Sequence, residues 1–303
     1  MNEKFLIDGR ILSLSHLDKP FWPRMGVTKK DLMHYYLEIS PFLLPHLKDR
    51  LITVIRFPDG VEGKFFYQKN KPRYAPEWIP TFSFQGTDYM LVQERATLIY
   101  LANQGALEIH VSFHKVPGEE PTSLVFDLDP SVEGFEMVRE AALLIKEELD
   151  LLRLPSLVKT SGATGLQIYI PLKKGHTFPE TRRFSSFFAR YMTEKNPSLF
   201  TIERKVDLRE GKIYFDYLQH WRGKSLIAPY STRARSLPYV STPLRWEEVP
   251  RVQPEDFTLF QVLERVQKVG DLFSPLLQGR GSDLAPFLKE IARVKKKPRL
   301  TVP

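Results

Sequence analysis

The chain has 303 residues, 42% apolar and 26% charged, which is ordinary globular usage and argues against disorder. No run approaches the roughly 20 apolar residues of a membrane span, the opening MNEKFLIDGR lacks the apolar centre of a signal peptide, and without cysteine there is neither a disulfide nor a thiolate metal site. A net charge of +8 points to a polyanionic partner, nucleic acid first, with solubility alone as the plain alternative, and the whole pattern fits a cytoplasmic protein.

Length allows one large domain or two modest ones. The 24 prolines are spread along the chain, and no repeat or low-complexity linker divides it. In TKKDLMHYYLEISPFLLPHL (28–47) a Thr28 N-cap opens a helical pattern that should break near Pro41. RLITVIRFPDG (50–60) reads as a strand closed by a Pro-Asp-Gly turn. GKFFYQKNKPRYAP (63–76) interleaves Phe65, Phe66 and Tyr67 with Lys64, Lys69, Lys71 and Arg73. That mixture is either a stacking platform for bases or a half-buried strand. ATLIYLANQG (96–105) is a short helix stopped by Gly105.

ALEIHVSFH (106–114) alternates, with Glu108, His110, Ser112 and His114 on its polar face. The spacing of His110 and His114 lacks a third soft ligand nearby, so a zinc site is discounted. In SLVFDLDP (123–130), Leu124, Phe126 and Leu128 share one face, and Val125, Asp127 and Asp129 the other. Two carboxylates at the end of a largely buried strand repel each other, and a bound cation would relieve that cost. GFEMVREAALLIKEELDLL (134–152) and PETRRFSSFFARYMTEK (179–195) are helices. Between them, PSLVKTSG and LQIYIPL are strands joined by SGATG, where Ser161 and the glycines 162 and 165 suit an anion-binding loop or a plain β-turn.

GKIYFDYLQ (211–219) is a strand carrying Asp216 opposite Ile213, Phe215 and Tyr217. Asp127, Asp129 and Asp216 can therefore converge on hard oxygen-seeking cations such as Mg²⁺ or Mn²⁺, two of which serve in-line phosphoryl transfer. WRGKSLIAPYSTRARS (221–236) is a strand running into a basic loop. If extended, that loop puts Arg233 and Arg235 on one side, ready for a phosphate chain or simply solvated. The tail RVKKKPRLTVP should be frayed. Strands that both alternate with helices and pair in hairpins imply an α+β fold.

The order RFPDG, FFYQKN, ATLIYLANQGALEIH, LVFDLDP, KTSGATGL, FDYLQH, RGKSLIAPYSTRAR, STPLRWEE resembles the polymerase domain of bacterial ligase D, a family of the archaeo-eukaryotic primase superfamily. The resemblance runs from about residue 15 to about residue 275. It implies one primase-polymerase unit over 1–303, with an RRM-like catalytic sheet against an N-terminal α/β module and a basic tail from about residue 290. It further implies Asp127, Asp129 and Asp216 as the metal-binding catalytic triad, and His110, Ser161 and Gly162 as nucleotide contacts. Arg233 and Arg235 would meet the phosphates, and Arg56, Phe65, Phe66 and Lys69 the template strand. Members extend primers and fill gaps at broken DNA ends, prefer ribonucleotides, favour Mn²⁺, and work with Ku and a DNA ligase, which places them at the nucleoid.

Where the family reads Ser-Gly-Gly-Lys-Gly-Leu-His, this chain has SGATGLQ, with Ala163, Thr164 and Gln167. A lost charge-assisted hydrogen bond is worth about 1.5–3 kcal/mol, so activity should be weakened or retuned, with Gln167 still donating a neutral bond. The chain holds no ligase or nuclease sequence, which suggests a stand-alone polymerase. The rival readings are a DNA-end-binding scaffold, favoured by the altered loop, and a metal-dependent nuclease, which leaves the phosphate-binding loops unexplained.

Overall fold

A computed structural model of the chain describes residues 2–296. A hairpin of β1 (Asn2–Ile7) and β2 (Arg10–Ser15) leads to the ribbon β3 (Pro20–Trp22) and β4 (Val27–Thr28). Helix α1 (Lys29–Leu47) follows, then β5 (Ile52–Arg56), β6 (Phe66–Gln68) and a hairpin of β7 (Thr81–Phe84) with β8 (Thr87–Met90). Helix α2 (Arg95–Asn103) precedes β9 (Ala106–Ser112), β10 (Ser123–Pro130), α3 (Glu136–Leu151), β11 (Leu157–Thr160) and β12 (Leu166–Pro171). Next come α4 (Phe178–Lys195), β13 (Phe200–Thr201), β14 (Ile213–Asp216), β15 (Ser225–Ile227), β16 (Pro243–Leu244), α5 (Leu259–Val269) and α6 (Ala285–Lys296).

Two sheets organise this α+β fold. One has six strands in the order β13-β14-β10-β12-β11-β16, antiparallel except at β13–β14. The other has four, β15-β9-β5-β6. The apolar side of β10 packs on α4, with Phe126 stacked on Phe188 at 5.1 Å between ring centroids and edge-on to Phe215 at 4.9 Å. Strand alternation then turns Asp127 and Asp129 to the opposite face. The sheets are interlocked, because β15 lies in sequence between β14 and β16 of the six-stranded sheet yet pairs with β9 in the other. Just beyond β15, the Tyr35 hydroxyl of α1 donates to the Tyr230 carbonyl at 2.8 Å. One continuous buried apolar cluster spans residues of both sheets.

Three local expectations are corrected. Helix α1 runs through Pro41 and Pro45 without breaking. Pro41 has no N–H for the carbonyl four residues earlier, Leu37, and the Ser40 hydroxyl donates to that carbonyl instead at 2.7 Å. The Asp216 strand is shorter than its alternation suggests, because Asp216 Oδ1 accepts the Leu218 and Gln219 N–H groups, each at 2.9 Å, and turns the chain. The basic tail is helical as far as Lys296, with Leu288 and Ile291 buried beneath it, and residues 297–303 lie outside the described residues. Among the described residues no helix is long and apolar enough to cross a membrane.

Candidate functional site

The register places a row of polar side chains across four neighbouring strands. Lys159 of β11 is paired with Gln167 of β12, Gln167 with Asp127 of β10, and Asp127 with Asp216 of β14. Asp127 is enclosed and its carboxyl is pushed up to about 7 by burial, then by the charges of Asp129 and Asp216, against the opposing pull of Gln167 and Lys159. Asp129 is also held above the ordinary carboxylate range, by burial and then by Asp216, with Arg209 and Arg233 pulling it back. Both shifts report negative charge crowded into a site that water does not fully relieve.

This crowding fits a hard divalent cation. Asp127 accepts one protein hydrogen bond, from Gln167 Nε2 to Oδ1 at 3.0 Å, and Asp129 accepts none from the described residues. Asp216 is committed through Oδ1, which also accepts from the Tyr214 hydroxyl at 3.2 Å, while its Oδ2 takes no bond from the described residues. Among the described residues no three acidic or histidine groups close into a single coordination shell. One or two carboxylates completed by water and phosphate oxygens are the usual environment of Mg²⁺, so an open, oxygen-only cluster suits such an ion.

The SGATG loop reaches the same place. A Cβ at Gly165 would lie 2.4 Å from the Leu128 carbonyl, so only glycine lets the loop press against the carboxylate strand. Gly162 has φ +71°, and a Cβ there would lie 2.5 Å from Cγ of Arg233. These close approaches, more than freedom for an oxyanion, account for both glycines. The Ser161 hydroxyl accepts the Ala163 N–H at 3.2 Å and the Gly165 N–H at 3.0 Å, which folds the loop on itself.

Across from the loop, Glu108 accepts from His110 Nε2 and from Arg233 Nη1, both at 2.9 Å, and from the Ala234 N–H. Burial would raise Glu108, but the His110 bond and the Arg233 charge outweigh it and keep the carboxylate ionised. An ionised carboxylate only accepts, so His110 carries its proton on Nε2 and offers Nδ1 as an acceptor. Burial holds His110 below its ordinary value, against Glu108.

The segment after Arg233 is not extended. The Arg235 N–H bonds back to the Arg233 carbonyl at 3.0 Å, so Arg233 is drawn inward to Glu108 while Arg235 stands exposed. His114 is enclosed, with neither ring nitrogen hydrogen-bonded among the described residues.

Phe65 (56% exposed), just before β6, and Phe66 (44%) and Tyr67 (66%) on it are exposed, as is Lys69, so these aromatics are not packed into the core. Arg56 lies beneath them. Its guanidinium donates to Gln104, Gln68 and Tyr74 and sits 5.0 Å from the Phe66 ring centroid, so it braces the platform from below. Gln167 is likewise used at both ends by the protein.

Three residues absent from the sequence-based set belong to this region. Glu108 shares its strand face with His110, a visible signal. Lys159 stands at the start of KTSG but reads as a solvent-facing charge. Arg209, 4.0 Å over the Tyr214 ring and acting on Asp129, lies in a loop with no sequence pattern to mark it.

Comparison with known proteins agrees with this arrangement. A family model described as LigD, primase-polymerase domain, matches residues 28–273. The bifunctional non-homologous end joining protein LigD of Bacillus subtilis is 42% identical over 86% of this chain, and the multifunctional protein of that name from Mycolicibacterium smegmatis 34% over 87%. The chain spans only 43% and 36% of those relatives' lengths. The polymerase domain of Mycobacterium tuberculosis ligase D, solved in complex with DNA, superposes with a TM-score of 0.81 at 32% identity, covering 88% of this chain and 98% of that one. With its carboxylate strand, glycine loop and helix-backed sheet inside the matched span, the chain belongs to the LigD primase-polymerase domain family.

Proposed function

We propose that this chain catalyses template-directed nucleotidyl transfer, extending primers and filling gaps at broken DNA ends during non-homologous end joining. The observation that carries the reading is the enclosed Asp127–Asp129 pair, held above its ordinary ionisation range between the SGATG loop and Arg233. Its likeness to a DNA-bound polymerase domain supports nucleic acid as the partner.

Asp127, Asp129 and the uncommitted oxygen of Asp216 would hold two Mn²⁺ or Mg²⁺ ions, which when bound lower the pKa of a primer 3′-hydroxyl and neutralise the departing pyrophosphate. Glu108 fixes the Arg233 guanidinium in one orientation, so it meets a triphosphate without first losing side-chain freedom. Arg235 adds a second, exposed charge. His110 Nδ1 accepts from a hydroxyl or amine of the nucleotide, and the Ser161 hydroxyl retains a proton to donate. Phe65 and Phe66 stack on template bases with Lys69 tracking the backbone. Ribonucleotide preference, and work alongside Ku and a DNA ligase at the nucleoid, complete the proposal.

The test is extension of a labelled primer on a short gapped duplex, with Mn²⁺ or Mg²⁺ and with ribo- and deoxynucleotides apart. Asp127→Ala should lose more than about 100-fold in rate, beyond the range for outer-shell partners, while still binding DNA. Full activity in that variant would sink the assignment. The Gln167 amide, occupied at both ends by protein, favours a second reading as a DNA-end scaffold. DNA binding that survives chelation, with no incorporation under either metal, would establish that reading instead.

A further inference from the structure

Lys159 is among the largest fully enclosed side chains of the protein, and no carboxylate touches it. Its Nζ donates to Gln167 Oε1 and to Ser241 Oγ, each at 2.5 Å, and approaches the Thr160 carbonyl at 3.5 Å. Burial holds the Lys159 amine well below its ordinary range, and an enclosed lysine with only neutral partners is a costly feature for a strand that could carry an apolar side chain. Such local conflicts concentrate where a protein does something.

The register shows what Lys159 reaches. It begins the row Lys159–Gln167–Asp127, in which the Gln167 amide lies between the lysine nitrogen and the carboxylate. A glutamine amide has an accepting end and a donating end, and the two are nearly equal in shape. Charged or neutral, the lysine nitrogen has one N–H for Ser241 Oγ and another for Oε1, so Lys159 supplies the donor that the accepting end of the amide needs. Nε2 is then the end that meets Asp127 Oδ1, at 3.0 Å. Without Lys159 the Oε1 end loses its donor, and the amide is held from the Asp127 end alone.

We infer that Lys159 is a positioning residue of the carboxylate centre: through the Gln167 amide it fixes the rotamer of Asp127. Its kinetic arm rests on the polymerase reading, whereas its structural arm does not. Ser241 completes the device, because its hydroxyl accepts from Lys159 and donates to the Thr160 carbonyl at 2.8 Å, tying the lysine nitrogen to its own strand.

The experiment compares Lys159→Met, Gln167→Met and the double variant, each checked for cooperative unfolding. The double variant replaces both partners by apolar groups of similar shape and keeps the comparison available if Lys159→Met alone folds poorly. In primer extension Lys159→Met should lower kcat about tenfold with nucleotide KM within about twofold, and the double variant should be no slower than Gln167→Met. In ¹H–¹⁵N spectra of the metal-free protein, the Gln167 side-chain NH₂ should exchange with solvent at least about tenfold faster in Lys159→Met, with backbone protection of β12 retained. Multiplicative losses in the double variant, an unchanged kcat in an active protein, or unchanged NH₂ exchange would overturn the inference. A protein that never polymerises but shows the exchange effect would uphold the positioning role and defeat the proposed function.

Discussion

His110 of β9 and Arg233 of the segment between β15 and β16, far apart in sequence, meet on a single carboxylate oxygen, Oε2 of Glu108, each at 2.9 Å. The carboxylate therefore sets both the tautomer of the histidine and the direction of the guanidinium. Glu108→Gln keeps the shape and removes the charge. Removing one partner of a buried ion pair costs about 3–5 kcal/mol, and the retained amide should hold the loss toward the lower value. Urea denaturation should show that loss, and nucleotide KM should rise about tenfold with a smaller change in kcat. An unchanged KM would mean that Arg233 does not meet the nucleotide.

The exposed ring of Phe66 stands on the Arg56 guanidinium and offers its other face to solvent. Stacking of one base on an aromatic side chain is worth about 1–3 kcal/mol. Phe66→Ala should weaken binding of a single-stranded overhang by roughly tenfold, read by fluorescence anisotropy, while blunt duplex binding changes little. Equal loss on both substrates would remove the stacking role.

Ser40 and Pro41 form a compensating pair inside α1. Ser40→Ala leaves the part-buried Leu37 carbonyl without its donor and should cost about 1 kcal/mol. In a Pro41→Ala background the backbone N–H returns, and the same serine change should then cost little. Thermal or urea unfolding of the four proteins measures this coupling directly, and additive losses would contradict it.

His220 is enclosed, bonds through Nε2 to the Ser123 carbonyl at 2.8 Å, and is held down to about 3 by burial, despite that bond. The unfolded chain takes up the proton near 6.5 and the folded one only near 3, so the unfolded state binds more protons between these values. Stability from this group is present above about 6.5 and is lost as pH falls toward 3, with a limiting slope near 1.4 kcal/mol per pH unit. His220→Gln should lower stability at neutral pH and flatten the acid slope relative to the parent. Parallel slopes for the two proteins would show that His220 is not the group responsible.

Much of the site was legible along the chain. Strand alternation put Asp127 and Asp129 on one face because the side-chain period of a strand is two, and the structure keeps them there against the Phe126 side that packs on α4. Thr28 caps its helix as the sequence predicts, and Asp31 completes a capping box with both bonds formed. The exposed Phe65–Phe66 platform was one of two readings open to its composition. What sequence could not decide was which polar groups are spent on one another. The Leu37 carbonyl's donor comes from the hydroxyl beside the very proline that suggests a break. Arg233 turns inward because a carboxylate more than a hundred residues earlier awaits it. Lys159 is enclosed only because three strands align it with Gln167 and Asp127, and Arg56 is consumed beneath the ring it supports. Local pattern is set by the periodicity of a single element. Whether a charged group faces solvent, substrate or another side chain is set by register between strands, which depends on the packing of the whole sheet.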